Sequence, residues 1–290
     1  MTALDHPGRP PLLPSDTWPW ATQILQTAAG PLAFTDVGAG PTLLLVHVGL
    51  GSIVWRELIR DLSMDHRCVT LDAPGTGHSF RPGPDGPTLA AAADAVHAVI
   101  SHLDLRVVTL VVHDLGGPAG IAAAARTPDR ITAIVAVNTF AWRPTGVLFR
   151  GMLAIIGARP IRGSDALIGW LPAATSGRFG VGRHWTKADR KAFRKTFDRQ
   201  SRSGFHRYMA DARRAEDIFG MTEAALTGPL KDRPVLTIFG ARNDPLKFQP
   251  RWKKLFPGVR QHLIAGGYHF PMCDAPTEVA STIRTWCSTR

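Results

Sequence analysis

Tyrosine and cysteine are scarce in this sequence, with two tyrosines and three cysteines among 290 residues. The cysteines, Cys68, Cys273 and Cys287, are odd in number and lack the spacing of a metal or redox motif. A disulfide framework is therefore not expected, and a reducing, cytoplasmic location is predicted. Long apolar runs are also missing: no stretch approaches the roughly 18 residues of a membrane helix, and the N-terminus lacks the pattern of a secretory signal.

Acidic residues are outnumbered, 23 against 34 basic ones, which gives a formal net charge of +11. Such an excess is typical of proteins that bind nucleic acid or an anionic membrane. The basic residues are nevertheless scattered, and their densest cluster, residues 183–214, is interleaved with acids. No nucleic-acid motif accompanies them. We therefore expect a solvated helical surface, with neither nucleic acid nor membrane as a partner.

Buried strands and helices alternate in the first half of the chain. Two short strand-like runs flank a turn at Ala29 and Gly30, and longer apolar runs typical of strands buried on both faces occupy 43–46, 67–72, 107–113 and 131–137. Helical patterns lie between these runs, at 55–62, 88–103 and 117–126. This alternation predicts a parallel sheet with right-handed crossovers and helices on its faces.

The alternation is interrupted after residue 138 and resumes near residue 234. The interrupting segment has helical patterns at 147–157, 164–171, 187–201 and 205–219 and no clear strand, and it is followed by strands at 234–240 and 260–264 and a helix at 276–288. We predict an α/β core formed by residues 1–138 and 226–290, with residues 139–225 inserted as a helical cap over the sheet.

The segment LVVHDLGGPAG ends a buried strand in His113 and Asp114 and continues into glycines. Ligands of open α/β sheets bind at the carboxyl ends of the strands. Asp114, with Gly116 two residues later, fits a nucleophile elbow, a sharp strand-to-helix turn that lifts the nucleophile above the sheet. The helix N-terminus keeps such a carboxylate ionised, although aspartate is also a common helix cap.

Two further candidates follow later strands, in the order that such an elbow requires. Asp244 is in the position of the acid and His269 in the position of the base. Taken alone, Asp244 is also explained as a turn residue before Pro245, and His269 as a loop histidine. Their occurrence together and in order favours a catalytic triad of Asp114, Asp244 and His269.

These motifs resemble the α/β-hydrolase superfamily over essentially the whole chain, and within it the branch with an aspartate nucleophile. LVVHD followed by x-G-G resembles the haloalkane dehalogenases, as do VNTFAWRP at 137–144 and HFPMCDAP at 269–276. The resemblance implies the α/β-hydrolase fold, a mostly parallel central sheet flanked by helices, with an inserted helical cap. It implies no metal and no organic cofactor.

The resemblance also implies a two-step mechanism. Asp114 would displace a leaving group from an sp³ carbon, and the resulting alkyl ester would be hydrolysed by a water that His269 deprotonates while Asp244 orients the imidazole. Backbone N–H groups of Val48 and Leu115 would form the oxyanion hole. The implied function is hydrolytic cleavage of a carbon–halogen bond in a small hydrophobic substrate, with water as the second reactant.

Two positions depart from the dehalogenase pattern. Dehalogenases usually place Trp directly after the nucleophile and often Asn in the first loop, and both donate to the leaving halide; this chain has Leu115 and Gly49 instead. Epoxide hydrolysis, with Tyr208 as the acid, is the main alternative; ester or lactone hydrolysis and ligand binding without catalysis are others. Candidate pocket residues are His47, Gly49, Trp55, His113, Phe140, Trp142 and Tyr208. The sequence indicates no oligomeric state.

Overall fold

The computed structural model describes residues 13–83 and 86–290. Eight strands form one sheet in the order β1-β2-β4-β3-β5-β6-β7-β8. Strands β3 to β8 run parallel, whereas β2 is antiparallel to both β1 and β4. The strands are β1 (Gln23–Thr27), β2 (Gly30–Val37), β3 (Thr42–His47), β4 (Arg67–Leu71), β5 (Val108–Asp114), β6 (Ile131–Thr139), β7 (Val235–Gly240) and β8 (Arg260–Ile264).

Twelve α-helices lie in the described residues. They are α1 (Arg56–Leu62), α2 (Leu89–His102), α3 (Gly116–Arg126), α4 (Val147–Ile156), α5 (Arg159–Ile168), α6 (Trp170–Thr175), α7 (Lys187–Thr196), α8 (Arg199–Asp211), α9 (Glu216–Thr227), α10 (Phe248–Leu255), α11 (Pro271–Asp274) and α12 (Pro276–Ser288). Helices α2, α3, α9 and α10 cover one face of the sheet, and α1, α11 and α12 cover the other. No described helix is long and apolar enough to cross a bilayer.

The continuous apolar runs are strands buried on both faces of the sheet, as the sequence predicted. In β3, Leu44 and Val46 pack into the cluster under α2 and α3, whereas Leu43 and Leu45 pack into the cluster under α1 and α12. Successive side chains of a strand point to opposite faces, so a strand covered on both sides needs apolar residues at every position. The predicted fold class, a mostly parallel sheet flanked by helices, is confirmed.

The inserted helices differ from the prediction at their boundaries. The helix predicted at 164–171 is two helices, α5 and α6, because Gly169 between them has φ 63° and ends the first one. The helix predicted at 187–201 stops at Thr196, because the Asp198 carboxylate accepts the N–H of Ser201 and starts α8 there. A short interruption of this kind leaves the apolar periodicity nearly intact.

The six inserted helices do not all pack in the same place. Helices α4, α5 and α8 pack on one another, whereas α9 packs against α3 in the layer that covers the sheet. Residues 216–225, which the sequence assigned to the cap, therefore lie in the flanking layer. The division into a core and a cap of 139–225 stays a prediction.

Candidate active site

Asp114 is the last residue of β5 and has φ 50°, a left-handed conformation that is uncommon for a residue other than glycine. The Thr139 hydroxyl donates a 2.6 Å hydrogen bond to the carbonyl oxygen of Asp114 and holds the turn from the neighbouring strand. Helix α3 begins two residues later. The chain therefore reverses sharply at Asp114, as the sequence predicted for an elbow.

Glycines make this turn possible because α3 passes very close to the sheet. A Cβ atom on Gly116 would lie 2.2 Å from the carbonyl oxygen of Val46, and one on Gly117 would lie 2.1 Å from that of Phe140. Both distances are shorter than any non-bonded contact permits. The G-G pair after the nucleophile position is thus a steric requirement of the elbow.

A cavity of about 320 Å³ opens above the elbow. Asp114 and His269 lie on its wall together with Asn138, Thr175, Asn243 and Asp244. The rest of the wall is mainly apolar and comes from the strand ends, the loops that follow them and the inserted helices: Leu50, Leu115, Phe140, Phe149, Met152, Leu153, Ile156, Phe205, Met209, Phe239, Pro245, Leu246, Phe248 and Phe270. The volume and lining fit a compact apolar molecule.

The nucleophile candidate and the base candidate face each other. Nε2 of His269 lies 3.5 Å from Oδ2 of Asp114. Burial alone would raise the pKa of Asp114, but the hydrogen bond and charge of His269, together with the backbone N–H of Leu115, bring that pKa below its usual value. Asp114 is therefore an ionised carboxylate at neutral pH, which attacks carbon without first losing a proton.

The residue that partners His269 is not the one that the sequence predicted. The side-chain amide of Asn243 lies 3.2 Å from Nδ1 of His269. In the described residues, the Asp244 carboxylate instead accepts the backbone N–H groups of Phe248 and Gln249, at 2.7 and 3.0 Å. These contacts place Asn243 rather than Asp244 beside His269, and the role of Asp244 in orienting the imidazole stays a prediction that they do not support.

Asp244 acts as a structural residue of the turn before α10. Its two accepted hydrogen bonds satisfy N–H groups in the first turn of that helix, where no helical carbonyl is available. Burial raises the pKa of Asp244, and the N–H groups of Gln249 and Phe248 oppose that rise. The explanation of Asp244 as a turn residue, which the sequence left open, accounts for these contacts.

An amide is a different partner from a carboxylate. As placed, Asn243 donates from Nδ2 to Nδ1 of His269, so the proton of a neutral imidazole is on Nε2, facing Asp114. A neutral amide also gives less stabilisation than a carboxylate to the imidazolium that forms when the base accepts a proton.

Two candidate pocket residues, His47 and His113, hold the loop that carries His269. Nε2 of His113 lies 2.8 Å from the carbonyl oxygen of His269, which only accepts, so this nitrogen carries the proton. The bare Nδ1 of His113 then accepts from Nδ1 of His47 at 3.0 Å. Burial is the main reason that the pKa of His47 falls to about 3, and it lowers the pKa of His113 in the same way.

Asn138 fastens the same loop from the end of β6. Its Nδ2 donates to the carbonyl oxygens of Tyr268 and His269, at 2.8 and 3.0 Å, while its Oδ1 accepts the N–H of Gly240. The hydrogen-bonding groups of Asn138 are therefore engaged by the backbone. Together with His113, it fixes the position of His269.

Of the seven predicted pocket residues, Phe140 lies on the cavity wall. Trp142 is packed behind it against Phe248 and Trp252, Trp55 lies beneath His113, and the Tyr208 hydroxyl donates to the carbonyl oxygen of Pro74 at 2.7 Å. Gly49 has φ 109°, and a Cβ there would come within 2.9 Å of the Phe205 ring. With His47 and His113, these residues support the described cavity from outside its wall.

The two oxyanion-hole candidates, Val48 and Leu115, each follow the end of a central strand. Leu115 follows the nucleophile and lines the cavity, and its N–H already interacts with the Asp114 carboxylate. Val48 follows β3 and is fully buried. The role of their N–H groups in holding an oxyanion stays a prediction.

Sequence reasoning missed residues that have no local signature. Asn243 immediately precedes the predicted acid, and only the path of the turn decides which of the two side chains reaches the histidine. Met152, Phe205 and Met209 come from helices remote in sequence, and their apolar periodicity fits packing as well as lining. In sequence, an apolar helix residue that lines a cavity therefore cannot be distinguished from one that packs in the core.

The eight-stranded sheet, the elbow at Asp114 and the histidine after β8 define an α/β-hydrolase-fold protein, and the family model for the alpha/beta hydrolase fold matches residues 41–154. Haloalkane dehalogenase 2 of Mycobacterium tuberculosis is 25% identical over 280 residues, covering 92% of this chain and 94% of the relative. A cis-3-alkyl-4-alkyloxetan-2-one decarboxylase of Shewanella oneidensis is 27% identical over 285 residues, covering 92% and 88%.

Solved structures agree on the fold. The haloalkane dehalogenase DatA from Agrobacterium tumefaciens superposes with a TM-score of 0.77 at 20% identity, covering 93% of this chain and 96% of that one. The epoxide hydrolase CorEH gives a TM-score of 0.77 at 17% identity, covering 93% of this chain and 99% of that one. The predicted α/β-hydrolase fold is confirmed, and the chain is similar in sequence to a haloalkane dehalogenase at 25% identity.

Proposed function

We propose that this protein hydrolyses a compact apolar substrate through a covalent ester on Asp114, and that the first class to consider is a haloalkane. The observation that carries the proposal is the pair of Asp114 and His269, 3.5 Å apart on the wall of an apolar cavity of about 320 Å³. A carboxylate nucleophile beside a base is the arrangement that nucleophilic hydrolysis at carbon requires. The curated dehalogenase relative supports the same class.

In the first step, an Asp114 oxygen attacks the carbon that bears the leaving group. The bond from that carbon to the carboxylate forms as the bond to the leaving group breaks, and the leaving group departs with the electron pair. The apolar wall excludes bulk water, which strengthens the nucleophile by removing part of its hydration. The product of this step is an alkyl ester of Asp114.

In the second step, water attacks the ester carbonyl carbon. His269 accepts a proton from this water through Nε2 and passes it to the departing oxygen, so that the alcohol leaves. The second proton of the water goes to solvent as the Asp114 carboxylate is restored. The base therefore needs the tautomer with a bare Nε2, whereas the placed amide of Asn243 favours the one with a bare Nδ1. Hydrolysis of the ester is accordingly proposed as the slow step.

The leaving group receives little help from side chains on the described cavity wall. Leu115 donates nothing, the Asn138 amide is engaged by the backbone, and the Thr175 hydroxyl donates to the carbonyl oxygen of Leu171. A charge-assisted hydrogen bond to a departing anion is worth roughly 1.5–3 kcal/mol. We therefore expect the first step to be faster with bromides and iodides, which leave readily, than with chlorides.

A four-membered lactone is the second candidate substrate. Relief of ring strain drives the bond breaking in such a ring, so the reaction depends less on a side-chain donor. The relative from Shewanella oneidensis, whose name describes a dialkyl oxetanone as its substrate, supports this class. Attack by Asp114 at a ring carbon would open the lactone and give a covalent ester in the same way.

Epoxide opening, the alternative that the sequence favoured second, loses its proposed acid. Tyr208 is buried with its hydroxyl directed to Pro74, and the Tyr268 hydroxyl accepts from Arg242 at 3.1 Å. Neither tyrosine lies on the described cavity wall. A ring oxygen placed above Asp114 would meet no phenol.

A panel of bromoalkanes, chloroalkanes, terminal epoxides and cis-dialkyl β-lactones tests the proposal. Equal amounts of bromide and alcohol are expected from the bromoalkanes, and Asp114→Asn should remove both. In His269→Ala, mass spectrometry should find the alkyl group on the peptide that contains Asp114. Release of alkene or hydroxy acid from the lactone alone would select the second class, and no turnover or adduct with any member would refute the proposal.

A further inference from the structure

Helix α4 is apolar on two faces, and only one of them is covered. Phe149 and Leu153 are buried and face the catalytic cavity. On the other side, Val147, Leu148 and Ile155 have exposed fractions of 89%, 66% and 64%. Residues at these intervals share one side of a helix, so they form a continuous exposed apolar stripe. Isolated exposed apolar residues are ordinary in soluble proteins, but a stripe of them marks an interaction surface.

The stripe lies next to a wall of the catalytic cavity. Met152 is 39% exposed and also lines the cavity, so it belongs to both faces of α4. Helix α4 is thus a wall one helix thick between the outer surface and the site of Asp114. Two further exposed apolar side chains, Leu167 and Ile168, end the next helix, α5.

A basic concavity of about 620 Å³ lies beside the C-terminal end of α4. It is lined by the arginines Arg159, Arg162, Arg207, Arg213 and Arg214, and by Ala154 of α4 itself. Asp211 is the acidic residue on its described wall, and that carboxylate already accepts the N–H of Leu89. Burial and then the charges of Arg207 and Arg159 lower the pKa of Arg162.

We propose that the α4 stripe and the adjacent arginine concavity together bind the surface of an anionic phospholipid membrane. Exposed apolar side chains enter the boundary between headgroups and acyl chains, and arginines pair with lipid phosphates. An apolar substrate dissolved in the membrane would then meet the protein at Met152. This inference goes beyond the proposed catalytic function, and the binding it describes does not depend on the reaction.

Charge complementarity favours a lipid surface over a second copy of the chain. A two-fold dimer formed through this surface would bring the same patch of both protomers together, with five arginines from each. Like charges brought close in this way repel. An anionic membrane offers the opposite charge and an apolar interior at the same time.

Nothing in the sequence indicated this surface, because its parts are far apart in the chain. The apolar stripe is at 147–155, and the arginines are contributed by α5, α8 and the turn after α8. Each segment alone has the pattern of an ordinary amphipathic or solvated helix. The proposal differs from the sequence-based expectation that the protein has no membrane partner, and that expectation stays a prediction.

Co-sedimentation of the full chain with vesicles tests the proposal. We expect binding to vesicles of phosphatidylglycerol and phosphatidylcholine, weaker binding at high salt, and none to phosphatidylcholine alone. Arg159→Glu combined with Arg213→Glu reverses two exposed charges of the concavity and should weaken partitioning about tenfold or more. Leu148→Asp should weaken it as well. Unchanged thermal unfolding midpoints would show that these exposed substitutions leave the fold intact.

Lys191→Glu combined with Lys195→Glu is the matched control, since it makes the same charge change on α7, where both lysines are exposed. This control should bind anionic vesicles nearly as well as the unaltered protein. Equal losses in the two double variants would contradict a localised surface. The proposal would also fail if the protein bound inorganic phosphate but no vesicles, or formed a dimer that Leu148→Asp dissociates while vesicle binding is absent.

Discussion

Nδ2 of Asn243 lies 3.2 Å from Nδ1 of His269, whereas the carboxylate of the next residue, Asp244, is bound to the N-terminal turn of α10. The candidate triad is therefore Asp114, His269 and Asn243. The nucleophile and the base have the relationship that a two-step hydrolysis requires, and the third member is a neutral amide. This single difference has consequences for the rate of the second step.

Asn243→Asp is expected to accelerate hydrolysis of the covalent ester. A carboxylate at this position would accept the Nδ1 proton, leave Nε2 bare and stabilise the imidazolium. The opposite change in serine protease triads lowers kcat by about 10⁴, so a gain of at least about tenfold is a conservative expectation. Single-turnover decay of the ester, followed across pH, measures it.

Asp244→Asn is the control for that variant, because it makes a comparable change one residue away. It weakens two hydrogen bonds at the start of α10 and should reduce the free energy of unfolding by about 1 kcal/mol. Its pH profile for ester decay should match that of the unaltered protein. If Asp244→Asn instead slowed ester decay by orders of magnitude and Asn243→Asp had no effect, Asp244 would be the partner of His269.

The elbow and the third triad position differ in how far sequence can predict them. Asp114 and its glycines were predictable because the steric demands of a strand-to-helix turn act within four residues. The partner of His269 was not, because Asn243 and Asp244 are neighbours and the backbone path decides which side chain points inward. His47 and His113 were predicted near the site because each ends a parallel strand. Both are buried outside the cavity wall, where they support the loop that carries His269.

Gly117→Ala tests the close approach of α3 to the sheet. The added methyl would lie 2.1 Å from the carbonyl oxygen of Phe140, and backbone must move to admit it. We expect a loss of about 2–4 kcal/mol in the free energy of unfolding, measured in urea. Gly220→Ala in α9 has nothing within 4 Å of the new atom and should gain about 0.5–1 kcal/mol. If Gly117→Ala left the free energy of unfolding unchanged, the close packing described at the elbow would be contradicted.

Stability should fall in acid because two buried histidines resist protonation. Burial lowers the pKa of His47 from 6.5 to about 3 in the folded protein, and the pKa of His113 shifts in the same direction. The unfolded chain therefore binds more protons below pH 6.5, so stability is fully present above that pH and declines from there towards pH 3.

His47 contributes a slope of about 1.4 kcal/mol per pH unit within this window, and His113 adds to the slope in the same direction. Chemical unfolding at a series of pH values measures the total slope of stability against pH. His47→Gln should reduce that slope by the equivalent of about one proton. If the unaltered protein and His47→Gln had the same slope, the lowered pKa of His47 would not be the cause of the acid sensitivity.

Leu115→Trp tests whether the leaving group lacks a donor. An indole N–H beside Asp114 would stabilise a departing halide, and a charge-assisted bond of roughly 1.5–3 kcal/mol corresponds to about a tenfold or greater rise in the rate of the first-turnover burst of bromide. Leu115→Phe adds similar bulk without the N–H and should give no gain. Equal effects of the two substitutions would assign the change to cavity shape.

The proposed mechanism depends on a covalent ester at Asp114, and a single turnover in H₂¹⁸O with a bromoalkane decides whether that ester forms. If it does, water attacks the ester at the Asp114 carboxyl carbon, so the alcohol of the first turnover carries ¹⁶O and the Asp114 peptide gains ¹⁸O. Mass spectrometry of the alcohol and of that peptide reads out both. First-turnover alcohol that carries ¹⁸O, with an unlabelled Asp114 peptide, would show that water attacks the substrate directly and that Asp114 is not the nucleophile.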